Sequence, residues 1–271
     1  MFRLTPAVRI LLLINVAMYL ATWMLLDTGL NLNQELGLYS FISEKFKPYQ
    51  FLTYMFLHSE HSFLHIVGNM FGLIVFGNLL EQVLGTNRFF VLYFVCGLGA
   101  GALHMGVDYW EYSQMRNKAE AYLLAPSPGN FMRFVNEEAP RIKLSNPQLV
   151  DFMDAYSDAP NNAKYEEIGR GYVRQIVSAK VTSSYPMVGA SGAVFGIILA
   201  FALIFPNLQM MLLFPPIPIK AKYLALFYTG FELYALAQNR PDDNIAHFAH
   251  IGGMIFAFLL IKYYWRIPRH Y

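Results

Sequence analysis

The stretch 186–201 reads PMVGASGAVFGIILAF. It has the apolar character of a membrane span, yet its first turns consist almost entirely of small residues around one hydroxyl, that of Ser191. Small residues at these positions are typical of a helix that packs closely against a neighbour. A serine nucleophile at the start of a membrane helix is the other interpretation, and the rest of the chain has to distinguish the two.

The composition indicates a protein of the lipid bilayer. The chain has 271 residues, of which 56% are hydrophobic and 14% are charged. A soluble domain carries roughly 25% charged residues, so this chain has few polar side chains with which to cover a water-exposed surface. The net charge of +2 gives no reason to expect a nucleic-acid partner. The one cysteine, Cys96, excludes an intrachain disulfide and is expected to be a packing residue.

Six stretches approach the roughly 20 apolar residues that a helix needs to cross a bilayer. They are 10–26, 63–80, 89–107, 187–205, 221–237 and 245–264. With six spans, the arginines and lysines at both termini and in two short turns all fall on one side, which the positive-inside rule assigns to the cytoplasm. The sequence therefore predicts an all-α, multi-pass membrane protein with both termini in the cytoplasm. We expect a bacterial plasma membrane, since no transit sequence rich in arginine and serine precedes the first span.

We expect residues 1–271 to form one membrane domain that contains an extracytoplasmic helical insertion, 108–184, between the third and fourth spans. This segment differs sharply in composition from its flanks, with many charges and several prolines. Two helical faces can be identified within it by their spacing. The first consists of Leu149, Phe152, Met153 and Tyr156, and the second of Tyr165, Ile168, Tyr172 and Ile176. We expect the insertion to shape substrate access or to recruit a partner.

Polar residues inside spans are costly, so their positions are informative. His65 and Asn69 open the second span, Ser191 opens the fourth, and His247 and His250 open the sixth. With the predicted topology, every even-numbered span begins on the outer side, so these groups converge at one depth. A neutral imidazole that removes its proton makes a serine hydroxyl a competent nucleophile. The oxyanion then needs donors, for which the Ser191 N–H, Asn69 and His65 are candidates.

The sequence resembles the rhomboid intramembrane serine proteases at these residues. The matching pieces are FLHIVGNM and FGNLLE in the second span, GASGAVFG at the fourth and AHIGGMIFA at the sixth. The resemblance covers all six spans in the family's order. It implies a six-transmembrane-helix bundle, and substrates that are membrane proteins with a single span.

The resemblance also implies a Ser–His dyad that works without an aspartate and without a metal or another cofactor. Ser191 takes the position of the nucleophile, and His250 that of the base because Gly253 follows it in the family's H-x-x-G spacing. His65 and Asn69 match positions that help to hold the oxyanion, and Gly189 matches the glycine two residues before the nucleophile.

The resemblance implies a neighbour or a role for Phe195 and Glu81, and the sequence leads us to expect particular surroundings for Glu232. Phe195 replaces a tyrosine that stacks on the base in some family members. Glu81 takes a structural position, as a tie to the loop that follows the second span. Glu232 lies in the fifth span, and we expect it to be protonated, paired or near the outer water; a direct catalytic role is the less favoured interpretation.

Two other function classes stay open. A metal-binding membrane protein or transporter could use His58, Glu60, His61 and His65 together with His247 and His250, since imidazole and carboxylate suit zinc. Against this, the sequence has no H-E-x-x-H motif, and a metal site does not explain a serine among small residues. An inactive rhomboid relative that binds membrane proteins without cutting them is the second alternative, although both positions of the dyad are filled.

Overall fold

The computed structural model describes residues 3–182, 185–211, 216–238 and 246–267, and 77% of the structure is helical. Within those residues the α-helices are, in chain order, α1 (Pro6–Leu26), α2 (Leu32–Leu36), α3 (Gln50–Thr53), α4 (Phe63–Leu84), α5 (Thr86–Leu124), α6 (Pro128–Glu138), α7 (Pro140–Ser145), α8 (Pro147–Asp158), α9 (Ala163–Thr182), α10 (Ser191–Ile204), α11 (Ala221–Gln238) and α12 (His247–Leu259). A 3₁₀ turn (Tyr54–Phe56) follows α3, and a π-helical turn (Leu260–Tyr264) extends α12. An antiparallel pair of short strands, β1 (Gln209–Met211) and β2 (Pro218–Lys220), connects α10 with α11.

Six apolar helices form the main bundle, namely α1, α4, the first half of α5, α10, α11 and α12. Each of them corresponds to one of the six predicted spans. Among the described residues, α1, α4 and α5 are long and apolar enough to cross a membrane, and α10 is apolar but shorter. Length and composition thus identify three candidate spans, and the number six stays a prediction.

The fourth predicted span begins later in the structure than in the prediction. The span was expected to begin at Met187, but α10 begins at Ser191. Met187 instead pairs with Leu38 in an isolated antiparallel bridge, so its backbone is extended. The start of the sixth span was predicted at Ile245, which lies outside the described residues, and α12 begins at His247.

Helix α10 lies at the centre of the bundle, where it packs against α4, α5, α11 and α12. Its crossing with α12 is close, because a β-carbon at Gly253 would overlap the carbonyl group of Gly192. Its crossing with α5 is also close, since a β-carbon at Gly196 would lie 2.6 Å from the Sγ atom of Cys96. Small residues allow such approaches between membrane helices. The packing interpretation of the small residues and of Cys96 is therefore confirmed.

The helix that contains the third predicted span, 89–107, does not end with that span, because α5 continues without a break to Leu124 over 39 residues. The segment after Val107 is rich in residues that favour helices and contains no proline or glycine before the helix ends. The predicted boundary at residue 108 therefore lies inside a helix, and the second half of α5 belongs to the inserted segment.

The inserted segment has a hydrophobic core of its own, which is separate from that of the bundle. It is formed by the second half of α5 together with α6, α8 and α9. The first predicted face is confirmed, because all four of its residues are buried in this core. The second is confirmed in part: Ile176 is buried and Tyr165 and Tyr172 are half-buried, whereas Ile168 is exposed. Gly169 is buried beside it, where it makes room for the hydroxyl group of Tyr122.

Candidate active site

The segment that precedes Ser191 is held in an extended conformation by the first loop of the chain. Leu38 and Met187 exchange two backbone hydrogen bonds of 2.9 Å. The N–H group of Gly189 donates to the carbonyl of Tyr54 at 3.0 Å. Gly189 has a φ of +136°, a conformation that residues with a side chain rarely adopt. This anchored turn fixes where α10 begins and therefore where the Ser191 hydroxyl lies.

The structure brings Ser191 and His250 together although they are far apart in sequence. The Oγ atom of Ser191 lies 2.9 Å from Nε2 of His250. Ser191 is the first residue of α10, and His250 lies in the first turn of α12. The two helices can approach this closely because Gly192 and Gly253 meet at their crossing.

The ring of His250 is also held from one face. Phe195, one turn after Ser191 on α10, stacks on it with 4.1 Å between the ring centroids and an interplanar angle of 5°. His250 is 7% exposed, so water has little access to the ring. The aromatic ring that the resemblance implied at residue 195 is thus in contact with the imidazole.

A carboxylate that the sequence interpretation did not favour as a site residue completes this cluster. Glu232 on α11 has one oxygen, Oε1, at 2.9 Å from Nδ1 of His250 and the other, Oε2, at 2.5 Å from Nδ1 of His247. Glu232 is 3% exposed. The expectation that it is paired is confirmed. A signal was available in the sequence: the end of one span and the start of the next meet at the same side of the bundle, so the acidic residue near the end of α11 faces the histidines of α12.

These bonds determine which nitrogen of His250 carries its proton. A carboxylate accepts hydrogen bonds, so Nδ1 of a neutral His250 must be the protonated nitrogen. Nε2 is then an acceptor, and the Ser191 hydroxyl donates to it. The imidazole is therefore arranged to accept a proton from the serine.

His65 lies on the other side of Ser191, at the start of α4. A β-carbon at Gly189 would lie only 2.9 Å from Nε2 of His65 and 3.5 Å from Ser191 Oγ, so the glycine keeps the space between them open. The backbone N–H of Ser59 donates to Nδ1 of His65 at 3.3 Å. Because Nδ1 is an acceptor, Nε2 of neutral His65 carries the hydrogen and is available as a donor towards the serine.

A second histidine supports His65 from the loop before α4. The His58 ring is fully buried and contacts the His65 ring edge to face, with 5.2 Å between centroids. Burial, together with the neighbouring His65, lowers the pKa of His58 to about 3. His58 is therefore neutral near pH 7, and His65 has an uncharged neighbour.

Asn69 lies one turn after His65 on α4, and its side chain is 6% exposed. Its Nδ2 atom donates to the carbonyl of His65 at 2.9 Å, which uses one of the two N–H groups of the amide. One turn further along α4, a β-carbon at Gly72 would lie 2.7 Å from the side chain of Val194 on α10. Asn69 is thus on the face of α4 that packs against the beginning of α10.

Three groups in the cluster could also bind a metal ion. Glu232, His247 and His250 offer ligand atoms that lie within 4.8 Å of one another, and they are the one such group among the described residues. These atoms are already hydrogen-bonded to one another. The set predicted for a metal site in the first loop does not assemble: Glu60 is bonded to Asn31 and Asn33, and His61 is 89% exposed.

The comparison with known families agrees with this geometry. The sequence profile of the family described as Rhomboid domain matches residues 45–113 and 168–267, which is more than half of the chain. The chain belongs to the rhomboid family. The comparison with curated proteins gives no match.

Rhomboid-family membership and the apolar helices make this a multi-pass membrane protein of a family that generally consists of serine intramembrane proteases. Rhomboid proteases act on membrane-protein substrates within the bilayer. The part matched to the family contains all five predicted site residues and Glu232. Residues 114–167, between the two matched ranges, lie within the inserted segment, so the separate hydrophobic core is formed largely outside the family pattern.

Proposed function

We propose that this rhomboid-family protein is an intramembrane serine endopeptidase that hydrolyses peptide bonds in or near the transmembrane segment of its substrates. Ser191 is the nucleophile and His250 is the general base. The observation that carries the proposal is the 2.9 Å hydrogen bond between Ser191 Oγ and His250 Nε2, in a membrane protein of the rhomboid family.

In the first half of the reaction, Ser191 Oγ attacks the carbonyl carbon of the scissile peptide while His250 Nε2 accepts the hydroxyl proton. The tetrahedral intermediate then collapses, the C–N bond breaks, and His250 returns the proton to the leaving nitrogen. An acyl-enzyme ester on Ser191 remains. A water molecule, whose proton passes to His250, attacks this ester to form the second tetrahedral intermediate. When it collapses, the C–Oγ bond breaks, His250 returns the proton to Ser191 Oγ, and the new carboxyl terminus is released.

The oxyanion of both tetrahedral intermediates needs hydrogen-bond donors in a water-poor site. The Ser191 backbone N–H at the start of α10, the Nε2–H of His65 and the second N–H of Asn69 are the candidates. The hydrogen bond from Ser59 to His65 Nδ1 supports the assignment of His65, because it leaves the Nε2–H as the donor. Gly189 keeps the volume beside these groups free for the substrate carbonyl.

We further propose that six spans cross the membrane, with both termini in the cytoplasm and the active site towards the extracytoplasmic side. The starts of α4, α10 and α12 meet at the site, which supports one common depth for its groups. The inserted segment follows the same end of α5 and is then also extracytoplasmic. The substrates are membrane proteins with a single span, and the host membrane is a bacterial plasma membrane.

The test is cleavage of a single-span model substrate by purified protein in liposomes. We expect Ser191→Ala to lower kcat by about 10⁴-fold or more, since the nucleophile is removed. Ser145→Ala, which changes an exposed serine of α7, is the matched control and should cleave normally. A fluorophosphonate probe should label the wild type and the control but not Ser191→Ala. Wild-type cleavage by Ser191→Ala would refute the protease assignment, and an unlabelled, inactive wild type would favour the non-cleaving relative.

A further inference from the structure

We propose that Glu232 is the positioning residue for His250, so that the site is a Ser191–His250–Glu232 triad and not a dyad. The proposal rests on the proposed function, because an orienting carboxylate matters only if Ser191 and His250 carry out hydrolysis. It departs from the expectation drawn from the family resemblance, in which no acidic residue takes part.

A continuous line of hydrogen bonds runs from the Glu232 carboxylate to the Ser191 hydroxyl. Glu232 Oε1 lies 2.9 Å from Nδ1 of His250, and Nε2 on the other side of the ring lies 2.9 Å from Ser191 Oγ. Both nitrogens of the base are therefore occupied by groups with complementary roles. A carboxylate at Nδ1 keeps that nitrogen protonated and directs the lone pair of Nε2 at the serine.

Glu232 also supplies a negative charge next to the base. When His250 accepts the serine proton it becomes an imidazolium ion in a site that excludes water. A carboxylate in contact with it stabilises that ion, and such an interaction is much stronger in a low-dielectric site than in water. An ionised carboxylate within a span is costly unless it has a partner. Placing Glu232 in contact with the base gives this charge a partner at the moment when the base becomes cationic.

The Glu232 carboxylate and the His250 ring are both held in place by neighbouring side chains. His247 binds the second carboxylate oxygen, which fixes the plane of the carboxyl group. Phe195 stacks on one face of His250, which fixes the plane of the ring. With both planes fixed, the Nδ1 hydrogen points at one oxygen atom, and the orientation of the base does not depend on substrate.

The experiment compares the wild type with Glu232→Gln, which keeps the size of the side chain and removes its charge. We expect kcat to fall by about 10²–10⁴-fold with KM unchanged, since the base loses its preferred tautomer and its counter-charge. We also expect the acidic limb of the pH profile of kcat to move to lower pH, because protonated His250 is no longer stabilised. Among the described residues, the other titratable groups that face His250 are His247 on α12, His65 on α4 and His104 on α5, and all three are kept unchanged.

Glu81→Gln is the matched control, since Glu81 is also 3% exposed and fully hydrogen-bonded, but lies at the far end of α4. It should unfold more easily and yet keep the wild-type kcat per site labelled by the fluorophosphonate. If Glu232→Gln behaves in the same way, with unchanged kcat and an unmoved acidic limb, Glu232 is structural and the triad is refuted. The Ser191→Ala result is independent of this outcome, so the two proposals can fail separately.

If Glu232→Gln does not accumulate in the membrane, Glu232→Asp is measured in its place. It retains the charge but is one methylene shorter, so the triad predicts a lower kcat with the acidic limb close to that of the wild type. An unchanged kcat in Glu232→Asp would refute positioning by direct contact. A loss of wild-type activity in a zinc chelator that added zinc restores would assign Glu232 to a metal site and overturn the triad.

Discussion

The two ends of helix α4 each lie beside a buried carboxylate, and the two carboxylates have different partners. His65 at one end and Glu81 at the other are about 24 Å apart along the helix axis at 1.5 Å per residue. Near the first lies Glu232, bound to two imidazoles. At the second, Glu81 is bound to backbone amides and a hydroxyl. Glu232 and Glu81 are each only 3% exposed.

Glu81 stabilises the beginning of another helix. Its oxygens accept from the N–H groups of Ala7 at 2.9 Å and Val8 at 3.0 Å, and from the hydroxyl of Thr86 at 2.7 Å. The first amides of a helix have no partner within it, and the N-cap residue of α1, Thr5, makes no capping bond with its side chain. Glu81 therefore caps α1 from α4, in addition to the tie to the following loop that the resemblance implied.

Burial and hydrogen bonding alone therefore do not distinguish a carboxylate that caps a helix from one that is bound to the proposed catalytic base. The partners of Glu81 are amides and a hydroxyl that keep their protons at any ordinary pH. A partner of Glu232 is an imidazole that can gain a proton and that is bonded in turn to a serine. The two carboxylates differ in whether a partner can change its protonation state. Each of the following predictions concerns one of the two ends of α4.

Of the predictions for the two ends of α4, the largest is a difference in kcat between substitutions of Asn69 and Asn78. Asn69→Ala should lower kcat by about 10²–10³-fold with little change in KM, since one donor to the oxyanion is lost. Asn78→Ala is the matched control at the other end, where the side chain accepts from the N–H of Thr5 at 2.9 Å. It should keep the wild-type kcat and lose stability.

Steady-state kinetics on both variants, with unfolding monitored in the same detergent, gives the comparison. Equal effects of the two substitutions on kcat would show that Asn69 acts only through helix packing. Both side chains also donate to the carbonyl four residues earlier in α4, so the loss of that bond cancels between the variants.

A smaller effect, on stability, is expected at the Glu81 end of α4. Glu81→Gln should lower the free energy of unfolding by about 1–3 kcal/mol, because at least one backbone amide of α1 is left without its acceptor. Denaturation of the purified protein measures this, and the kcat of the folded fraction should be that of the wild type. A reduced kcat in fully folded Glu81→Gln would mean that the two ends of α4 are coupled, and would contradict a purely structural role for Glu81.

The smallest expected effect is a pH dependence of stability that arises from His58, beside the His65 end of α4. Because burial lowers the pKa of His58 to about 3, the unfolded chain binds a proton near pH 6.5 that the folded chain does not. The contribution of neutral His58 to the free energy of unfolding is therefore fully present above about pH 6.5. It is lost as the pH drops towards 3, by on the order of 1 kcal/mol per pH unit. Unfolding temperatures of the wild type and His58→Gln, measured at pH 7.5 and 5.5, should lie closer together at the lower pH. A constant difference would show that His58 is not the group responsible.

The pattern of polar residues predicted that Ser191 and His250 lie together, as the structure places them. Ser191, His250 and His65 open three apolar segments, and segments that start on the same side of a bundle place their first residues together. The spacing of apolar residues in the inserted segment likewise predicted the buried face of α8. These predictions depend on periodicity and topology, which are properties of the order of residues along the chain.

Other features depended on contacts that the order of residues does not contain. The extended start of the fourth span arises from the bridge between Leu38 and Met187. The continuation of α5 to Leu124 was missed because a change in composition was taken as the end of a helix. In the second face of the insertion, Ile168 is exposed although its spacing matched the face, and the neighbouring Gly169 packs against Tyr122 in its place.

The sequence by itself determined that this is a helical membrane protein of the rhomboid family with a serine and a histidine at corresponding helix starts, since hydrophobicity and spacing are local properties. The tertiary structure alone decided that Glu232 joins them. Whether a carboxylate in a span faces lipid, a backbone amide or an imidazole depends on the rotation and depth of its helix relative to its neighbours. That arrangement results from the packing of the whole bundle, in which glycines at the helix crossings allow the serine, the imidazole and the carboxylate to meet.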